Sequence, residues 1–265
     1  MTPSHDNMGK IQLFNLNIDN YNLSEATNKI EEYLRTAKFH CVGFLNTANI
    51  YYLKNDKEFI EFNKSADMIL ADGISVVWAS RLFQKSLKGR VTGPDLFLSL
   101  LELANRRKDK IFILKGSNQD KSQKLRNAIL KKFQNIIISG IHSIPYDFNI
   151  DRDTEKNSEA LNNIKAAAPD ILFVSLGSPK GKKWIWRNRS SLSHIPLCIE
   201  IGAATDYIMG TKRRAPQWMQ KVGIEWIYRL SCEPLRLWKR YFLSNSYFLI
   251  ALIKEAIHNT RSKEK

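Results

Sequence analysis

The chain has 265 residues, of which 43% are hydrophobic, and this fraction is enough to bury a core and excludes a wholly disordered protein. A chain of this length forms one large domain or two small ones. The formal net charge of +15 at pH 7 indicates an anionic partner: nucleic acid, an anionic membrane face or a phosphorylated substrate.

Cysteine usage and hydropathy indicate the compartment. Cys41, Cys198 and Cys232 are scattered and form no CxxC pair, which is typical of buried small residues in a reducing compartment rather than of a disulfide framework or a zinc site. The N-terminus lacks a basic segment followed by an apolar one, and no run approaches the roughly 18 apolar residues of a membrane span. We therefore expect a cytoplasmic protein, either free or resting on the inner face of the membrane.

Short apolar runs alternate with runs of helical period along residues 1–210. Strands are predicted at 11–18, 41–45, 68–71, 111–114, 136–139, 171–176 and 197–201, with helices between most of them. This alternation predicts an α/β fold with a Rossmann-like, mostly parallel sheet and helices on both faces. We expect residues 1–210 to form this core and residues 211–265 to form a C-terminal helical appendage.

A carboxylate stands directly after one of the predicted strands. Asp72 and Gly73 follow the apolar run 68–71, and Arg90 lies on the loop after the next helix. Ligands of open α/β sheets bind at the carboxyl ends of the strands, which makes Asp72 a candidate site residue. The alternative is that Asp72 caps the helix that begins at Ile74, a task that aspartate performs well.

A second polar cluster, Asn46 to Asn49, follows the strand predicted at 41–45. Thr47 and Asn49 are candidate ligand contacts for the same reason as Asp72. A helix cap on Asn46 or Thr47 explains the cluster about as well. Both interpretations stay open at the level of sequence.

Asp151 and Asp153 form a DxD triplet, the arrangement in which many nucleotide-sugar enzymes bind a metal ion. The triplet lies in a polar run rather than after an apolar strand, which favours a solvated loop and a helix start. A metal-dependent transferase that uses both carboxylates is the alternative.

Residues 211–241 are helical in pattern, basic and aromatic, and Pro216 and Pro234 divide them into short helices. Cations beside tryptophan and tyrosine suit a membrane interface, where the rings lie at headgroup depth. The same composition suits nucleic acid, through stacking and phosphate contacts, or a solvated face that packs through its tryptophans. The exposed apolar residues allow either pairing of protomers into a homo-oligomer or entry into lipid.

Several motifs occur together and in the order found in a known family. They are Thr47-Ala48-Asn49, Ala66-Asp67 to Asp72-Gly73, Arg90-Val91-Thr92-Gly93-Pro94-Asp95-Leu96, Phe112-Ile113-Leu114-Lys115-Gly116, Pro169-Asp170-Ile171, Gly177-Ser178-Pro179-Lys180, Arg214-Ala215-Pro216, Glu225-Trp226-Ile227-Tyr228-Arg229-Leu230 and Glu233-Pro234. From about Ile11 to Tyr241 the sequence resembles the WecG/TagA/CpsF glycosyltransferases (glycosyltransferase family 26).

The resemblance implies an inverting, metal-independent transferase without a cofactor, associated with the cytoplasmic face of the membrane. Its donor would be a UDP-sugar, often of the N-acetylmannosamine type, and its acceptor a polyprenyl-diphosphate-linked saccharide of cell-surface polysaccharide synthesis. It also implies that the C-terminal appendage closes over the site and contacts the membrane. The rival interpretation from composition is a nucleic-acid-binding protein with a Rossmann-like core.

The resemblance also implies roles for matching residues. Asp72 matches the proposed general base, Thr47 a polar residue of the same pocket, Asn49 a donor contact and Arg90 the arginine that holds the donor diphosphate. The further substrate-binding residues that it implies are Gly73, Tyr146, Gly177, Lys180, Asp206, Arg214, Arg229, Arg236, Lys239 and Arg240.

Two positions depart from the family's pattern. Gly181-Lys182 stand where the family usually has Gln-Glu, and that glutamine normally contacts the donor, so the identity of the donor stays open. Gly89 stands where the family often has Glu before the arginine, which removes a local ion pair.

The residues support this chemistry by themselves. Inverting transfer needs a base for the acceptor hydroxyl and a group that stabilises the charge on the departing UDP. A partly desolvated Asp72 suits the first task. Because no metal-ligand cluster is evident, Arg90 and the C-terminal arginines are expected to perform the second, since guanidinium pairs with phosphate oxygens.

Overall fold

The structure is a computed structural model that describes residues 9–36, 38–117 and 121–263, without the side chains of residues 236, 240 and 258–263. Its strands are β1 (Lys10–Leu13), β2 (Leu16–Asp19), β3 (His40–Leu45), β4 (Met68–Ala71), β5 (Lys110–Gly116), β6 (Ile137–Ile144), β7 (Ile171–Ser175) and β8 (Leu197–Glu200). Its helices are α1 (Leu23–Arg35), α2 (Thr47–Ile50), α3 (Tyr52–Asn55), α4 (Lys57–Ser65), α5 (Ile74–Leu82), α6 (Gly93–Arg107), α7 (Ser122–Leu130), α8 (Thr154–Ala167), α9 (Lys180–Arg187), α10 (Ala204–Ile208), α11 (Gln217–Lys221), α12 (Glu225–Cys232) and α13 (Pro234–Lys263).

Six strands form one sheet in the order β4-β3-β8-β7-β5-β6. The registered pairs β3–β8, β8–β7, β7–β5 and β5–β6 are all parallel. Strands β4 and β7 are buried along their whole length, as expected for continuous apolar runs in a sheet that helices cover. The predicted α/β fold with a mostly parallel sheet is confirmed.

The single strand predicted at 11–18 is wrong, because this segment is a β-hairpin. Strands β1 and β2 pair antiparallel in a separate two-stranded sheet. Phe14 and Asn15 form the turn with φ of 54° and 59°, the left-handed conformation that two-residue hairpin turns require. Apolar residues flank this turn on both sides. The alternating apolar pattern of a single strand therefore hid the point at which the chain reverses.

The chain divides into two compact units. The first unit comprises Met1–Asn22, Phe44–Thr92 and Arg214–Lys265, and the second comprises Leu23–Gly43 and Gly93–Arg213. The C-terminal helices α11 to α13 therefore belong to the same unit as Asp72 and Arg90. The predicted boundary at residue 210 stays a prediction.

Helix α13 is 30 residues long and begins at Pro234, a residue that suits the first position of a helix. It packs against α2 and α12, and its residues Leu237, Ser244 and Glu255 are buried. The Glu255 carboxylate accepts hydrogen bonds from the Phe14 N–H (3.1 Å) and from Lys85 Nζ (2.9 Å), which joins the helix to the hairpin. Within the described ranges, no helix combines the length and the apolar composition that a membrane span requires.

The turn between α11 and α12 generates the first prediction. Gly223 has φ of +74°, and a Cβ there would lie 2.6 Å from Ile74 Cγ2 and 2.8 Å from Trp78 Cη2. We expect Gly223→Ala to lower the free energy of unfolding by about 1–3 kcal/mol, because it combines backbone strain with a steric clash. Thermal and urea unfolding followed by circular dichroism measure this.

The matched control is Gly89→Ala, since a Cβ at Gly89 would meet no atom within 4 Å. Equal stability of the two variants would contradict the expected packing of this turn against α5.

Candidate active site

Asp72 lies directly after β4, and its side chain does not cap the following helix. The N-cap residue of α5 is Gly73, and no side chain caps that helix end. Instead, one carboxylate oxygen of Asp72 accepts a hydrogen bond from Asn46 Nδ2 at 3.1 Å. The Asp72 N–H donates to the carbonyl of Leu45, so the residues that follow β3 and β4 are held side by side. The interpretation of Asp72 as a helix cap is therefore wrong.

The environment of Asp72 raises the pKa of its carboxyl group above the ordinary value of 3.8. The largest cause is burial, which disfavours the charged form, and Glu225 acts in the same direction. The hydrogen bond from Asn46 and the charges of Arg229 and Arg90 act in the opposite direction without cancelling it. A carboxylate with a raised pKa is a stronger base than an exposed one, which suits proton abstraction.

Arg90 is held by residues of the C-terminal helices. Its Nη1 lies 3.3 Å from Glu225 Oε2, and its Nη2 donates to Gln220 Oε1 at 3.1 Å. The Arg90 side chain is only 16% exposed, so these polar contacts compensate for its burial. Glu225 also accepts a hydrogen bond from Arg229 Nη2, and one carboxylate therefore holds two guanidinium groups. The charges of both arginines lower the pKa of Asp72, so both guanidinium groups lie near this carboxylate.

Backbone and side-chain contacts also anchor the loop that carries Arg90. The Val91 N–H donates to the carbonyl of Ala71 at 2.8 Å, which ties this loop to the end of β4. Arg214 donates from Nη2 to Thr92 Oγ1 at 3.1 Å. Arg214 therefore connects the C-terminal segment to the same loop.

The polar cluster after β3 has a structural role and a second role at Asp72. Asn46 is the N-cap residue of α2, and its N–H donates to Asn49 Oδ1 at 3.2 Å. Asn49 is buried and Thr47 is half-buried. Asn46, which the sequence indicated only as a cap, is thus the residue that contacts Asp72. The donor contacts expected of Thr47 and Asn49 stay predictions.

In the second unit, Asp206 belongs to a buried polar network. It lies 2.7 Å from Lys115 Nζ, and Lys115 is 2% exposed and also donates to Thr205 Oγ1 at 3.3 Å. Ser175 and Thr205 share a hydrogen bond of 2.8 Å. Lys115 was not among the predicted site residues, although a lysine inside an apolar strand was a usable signal.

Tyr146, Gly177 and Lys180 also lie in the second unit. The Tyr146 ring is 56% exposed, and its Cδ1 would lie 3.4 Å from a Cβ at Gly116, so the ring covers a residue without a side chain. Lys180 Nζ donates to the carbonyl of Tyr146, and burial lowers the pKa of Lys180. Gly177 has φ of +75°, a conformation that favours glycine in the turn before α9. Their roles toward a substrate stay predictions.

Of the three cations expected on α13, the structure describes the side chain of Lys239. Lys239 is exposed, with Nζ at 5.6 Å from the centre of the Trp238 ring. The side chains of Arg236 and Arg240 lie outside the described residues.

Gly181 leaves a space that another side chain occupies. A Cβ at Gly181 would lie 2.8 Å from Cγ of Glu200, which is buried at the end of β8. A glutamine at this position would require Glu200 to move. Lys182, the second residue of the departure from the family's pattern, is completely buried. Gly181 and Lys182 are therefore both part of the packed interior beside α9.

The carboxylates of the DxD triplet are engaged in local contacts. Asp151 pairs with Arg187, and Asp153 accepts a hydrogen bond from the Asn149 N–H at 2.8 Å and is the N-cap residue of α8. Across the described part of the chain, no group of three or more His, Cys, Asp or Glu side chains is placed to hold a metal ion. These contacts favour the loop and helix start over a metal clamp.

Comparison with known proteins gives consistent similarities over nearly the whole chain. Residues 11–262 match the model of the glycosyl transferase WecG/TagA/CpsF family. The chain is 32% identical over 244 residues to the N-acetylglucosaminyldiphosphoundecaprenol N-acetyl-beta-D-mannosaminyltransferase of Bacillus subtilis (strain 168), which covers 92% of this chain and 91% of the relative. A protein of the same name from Staphylococcus aureus (strain NCTC 8325 / PS 47) is 27% identical over 237 residues, with coverage of 88% and 87%.

The raised pKa of Asp72 predicts a stability cost at neutral pH. Because the folded state retains this proton at higher pH than the unfolded state, stability falls as the pH rises from about 4 through the folded pKa. We expect Asp72→Asn to unfold at a higher temperature than the wild type at neutral pH. The difference should shrink as the pH falls through about 4, because below this pH the carboxyl group becomes protonated in both states.

Thermal midpoints measured across this pH range test the sign of the effect. Asp147→Asn, at an exposed carboxylate, is the control for the substitution itself. A lower midpoint for Asp72→Asn at neutral pH would mean that the contacts of the carboxylate outweigh its desolvation.

Proposed function

We propose that this chain, which belongs to the glycosyl transferase WecG/TagA/CpsF family, transfers a sugar with inversion from a UDP-sugar to a polyprenyl-diphosphate-linked saccharide. The observation that carries the proposal is the grouping of Asp72, Asn46, Arg90, Glu225 and Arg229 in the first unit. This grouping supplies a base and two cations, which are the groups that the reaction needs. Family membership favours this function over nucleic-acid binding.

In the proposed reaction, Asp72 accepts the proton of the acceptor hydroxyl as its oxygen attacks the anomeric carbon of the donor sugar. The new carbon–oxygen bond forms as the bond to the UDP oxygen breaks, and UDP leaves with the bonding electrons. Asn46 Nδ2 holds the Asp72 carboxylate in one orientation through its hydrogen bond, and the other carboxylate oxygen is then available for the acceptor. Attack from the face opposite the leaving group inverts the anomeric centre.

Arg90 and Arg229 are suited to the charge that develops on the departing diphosphate. Guanidinium groups pair with phosphate oxygens through two parallel hydrogen bonds. Glu225 holds both groups before the substrate binds, so little reorganisation is needed in the transition state. This arrangement explains how the reaction proceeds with side-chain cations as the electrostatic catalyst.

The names of the relatives support a donor of the N-acetylmannosamine type and an acceptor that carries N-acetylglucosamine on undecaprenyl diphosphate. The identity of 32% and the Gly181-Lys182 replacement leave the sugar itself to be determined. Co-purification followed by mass spectrometry of the bound nucleotide sugar identifies the donor directly.

We further propose that the protein rests on the inner face of the cell membrane. The C-terminal helices expose large apolar side chains next to basic ones, as interfacial helices do. Among these exposed side chains are Trp218, Leu235, Trp238 and Phe242. A lipid-linked acceptor requires the same location.

Replacement of the base tests the mechanism. We expect Asp72→Asn to lower kcat by about 10²–10⁴, because general base catalysis contributes about this factor, while UDP binding stays close to that of the wild type. Steady-state kinetics and calorimetric UDP titration measure the two quantities. The acid limb of the wild-type kcat/KM profile should lie above pH 3.8, since the pKa of Asp72 is raised.

Glu159→Gln, at an exposed carboxylate on α8, is the control and should retain full activity. Normal turnover by Asp72→Asn would remove Asp72 from the role of base.

Substitution of exposed residues tests membrane association more selectively than deletion of residues 211–265. Deletion also removes Glu225 and Gln220, the partners of Arg90, and therefore damages the site. We expect Leu235→Ser with Phe242→Ser to lower flotation with vesicles of anionic phospholipid several-fold, because the two side chains are 91% and 69% exposed.

Activity of this double variant on a water-soluble acceptor analogue should not change. Leu82→Ser is the control, since Leu82 is 69% exposed outside the C-terminal segment. Unchanged flotation of the double variant would contradict the proposed contact surface.

A further inference from the structure

A groove of about 300 Å³ lies in the first unit, next to α13. Its size is at the lower end of the range of small-molecule pockets. Its walls are formed by the turn of the hairpin, the helical turns α2 and α3, and one flank of α13. The residues that line it include Phe14, Ile50, Lys54, Tyr247, Lys254 and Glu255.

The charges of this groove are arranged for an anion at its rim. The carboxylate of Glu255 is buried and accepts hydrogen bonds from Lys85 and from the N–H of Phe14, which offsets its negative charge. Lys54 and Lys254 are exposed lining residues, and the Nζ of Lys54 lies 5.4 Å from the centre of the Tyr247 ring. The groove therefore combines an apolar wall with two solvent-accessible ammonium groups.

The apolar wall continues onto the surface of α13. Ile250 lines the groove and is 45% exposed. Ile253 and Ile257 follow Ile250 at helical spacing and are 62% and 49% exposed, and Leu249, which is 60% exposed, lies four residues before Ile253. An apolar chain that leaves the groove at Ile250 would meet an apolar stripe rather than a polar surface.

The groove begins one helical turn from the proposed base. Ile50, which lines it, is the last residue of α2. The first residue of α2 follows Asn46, which donates to Asp72. A helical segment of four residues extends about 6 Å, so the groove begins close to the reacting groups.

From this geometry we infer that the groove binds the prenyl-diphosphate end of the acceptor. The first isoprene units lie against Phe14, Ile50 and Tyr247, and Lys54 and Lys254 contact the diphosphate. The remaining prenyl chain follows the stripe of α13 toward the membrane. This inference rests on the proposed function, since it locates the lipid part of the same acceptor.

Binding of farnesyl diphosphate tests the groove without turnover. We expect Lys54→Glu and Lys254→Glu each to weaken this binding at least tenfold, because each replaces an attractive charge with a repulsive one. Inorganic pyrophosphate and farnesol should bind more weakly to the wild type than farnesyl diphosphate does, since each lacks one half of the ligand. Lys57→Glu is the matched control, because Lys57 is exposed on the neighbouring α4 and does not line the groove.

A kinetic experiment separates this inference from the proposed function. Ala251→Phe narrows the groove and should raise KM at least tenfold for an acceptor with a farnesyl chain. The same variant should leave KM unchanged for an acceptor whose diphosphate bears a methyl group, a result that an unfolded variant cannot give.

Absence of transfer by the wild type with both acceptors would overturn the proposed function. A different result would overturn only the assignment of the acceptor lipid to the groove. In that result, the wild type transfers the sugar, Lys54→Glu binds farnesyl diphosphate as the wild type does, and Ala251→Phe has an unchanged KM. Loss of vesicle binding by Lys54→Glu without loss of farnesyl diphosphate binding would assign the groove to phospholipid headgroups and would also overturn the inference.

Discussion

The interaction on which the candidate site depends is the carboxylate of Glu225 between two guanidinium groups. It joins Arg90 to the C-terminal segment across 135 positions of the chain and binds Arg229 within its own helix. Without this carboxylate, the two positive charges near Asp72 would repel each other. The shared carboxylate holds them at a place where a diphosphate can then compete for their hydrogen bonds.

At Asp72, the same raised pKa suits proton abstraction and is expected to lower the stability of the folded protein. Burial raises its pKa, and two arginines and an asparagine amide restrain that rise. The net effect is a raised pKa, and such a carboxylate is a stronger base than an exposed one, which suits proton abstraction. Such a group lowers the stability of the folded protein at neutral pH, a cost that is common in active sites.

Two faces of the long C-terminal helix α13 have different surroundings. One face anchors the helix to the hairpin through Glu255 and covers the core of the first unit. The other face exposes apolar side chains together with basic ones, and the groove lies between the two faces. The net charge of +15 is thus consistent with a protein that binds phosphates at its site and rests on an anionic surface.

The sequence by itself determined the elements whose signals are local. The apolar runs at 68–71 and 171–176 became β4 and β7, and the positions of Asp72 and Arg90 after a strand and on a loop followed from them. Only the tertiary structure decided which side chains meet. The hydrogen bond from Asn46 to Asp72 and the pairs Arg90–Glu225 and Lys115–Asp206 join residues 26, 135 and 91 positions apart. Such contacts depend on the path of the chain in space, which periodicity and turn propensity do not encode. The hairpin at Phe14 was missed for a related reason, since its turn is set by backbone φ angles and pairing rather than by a polar break in the sequence.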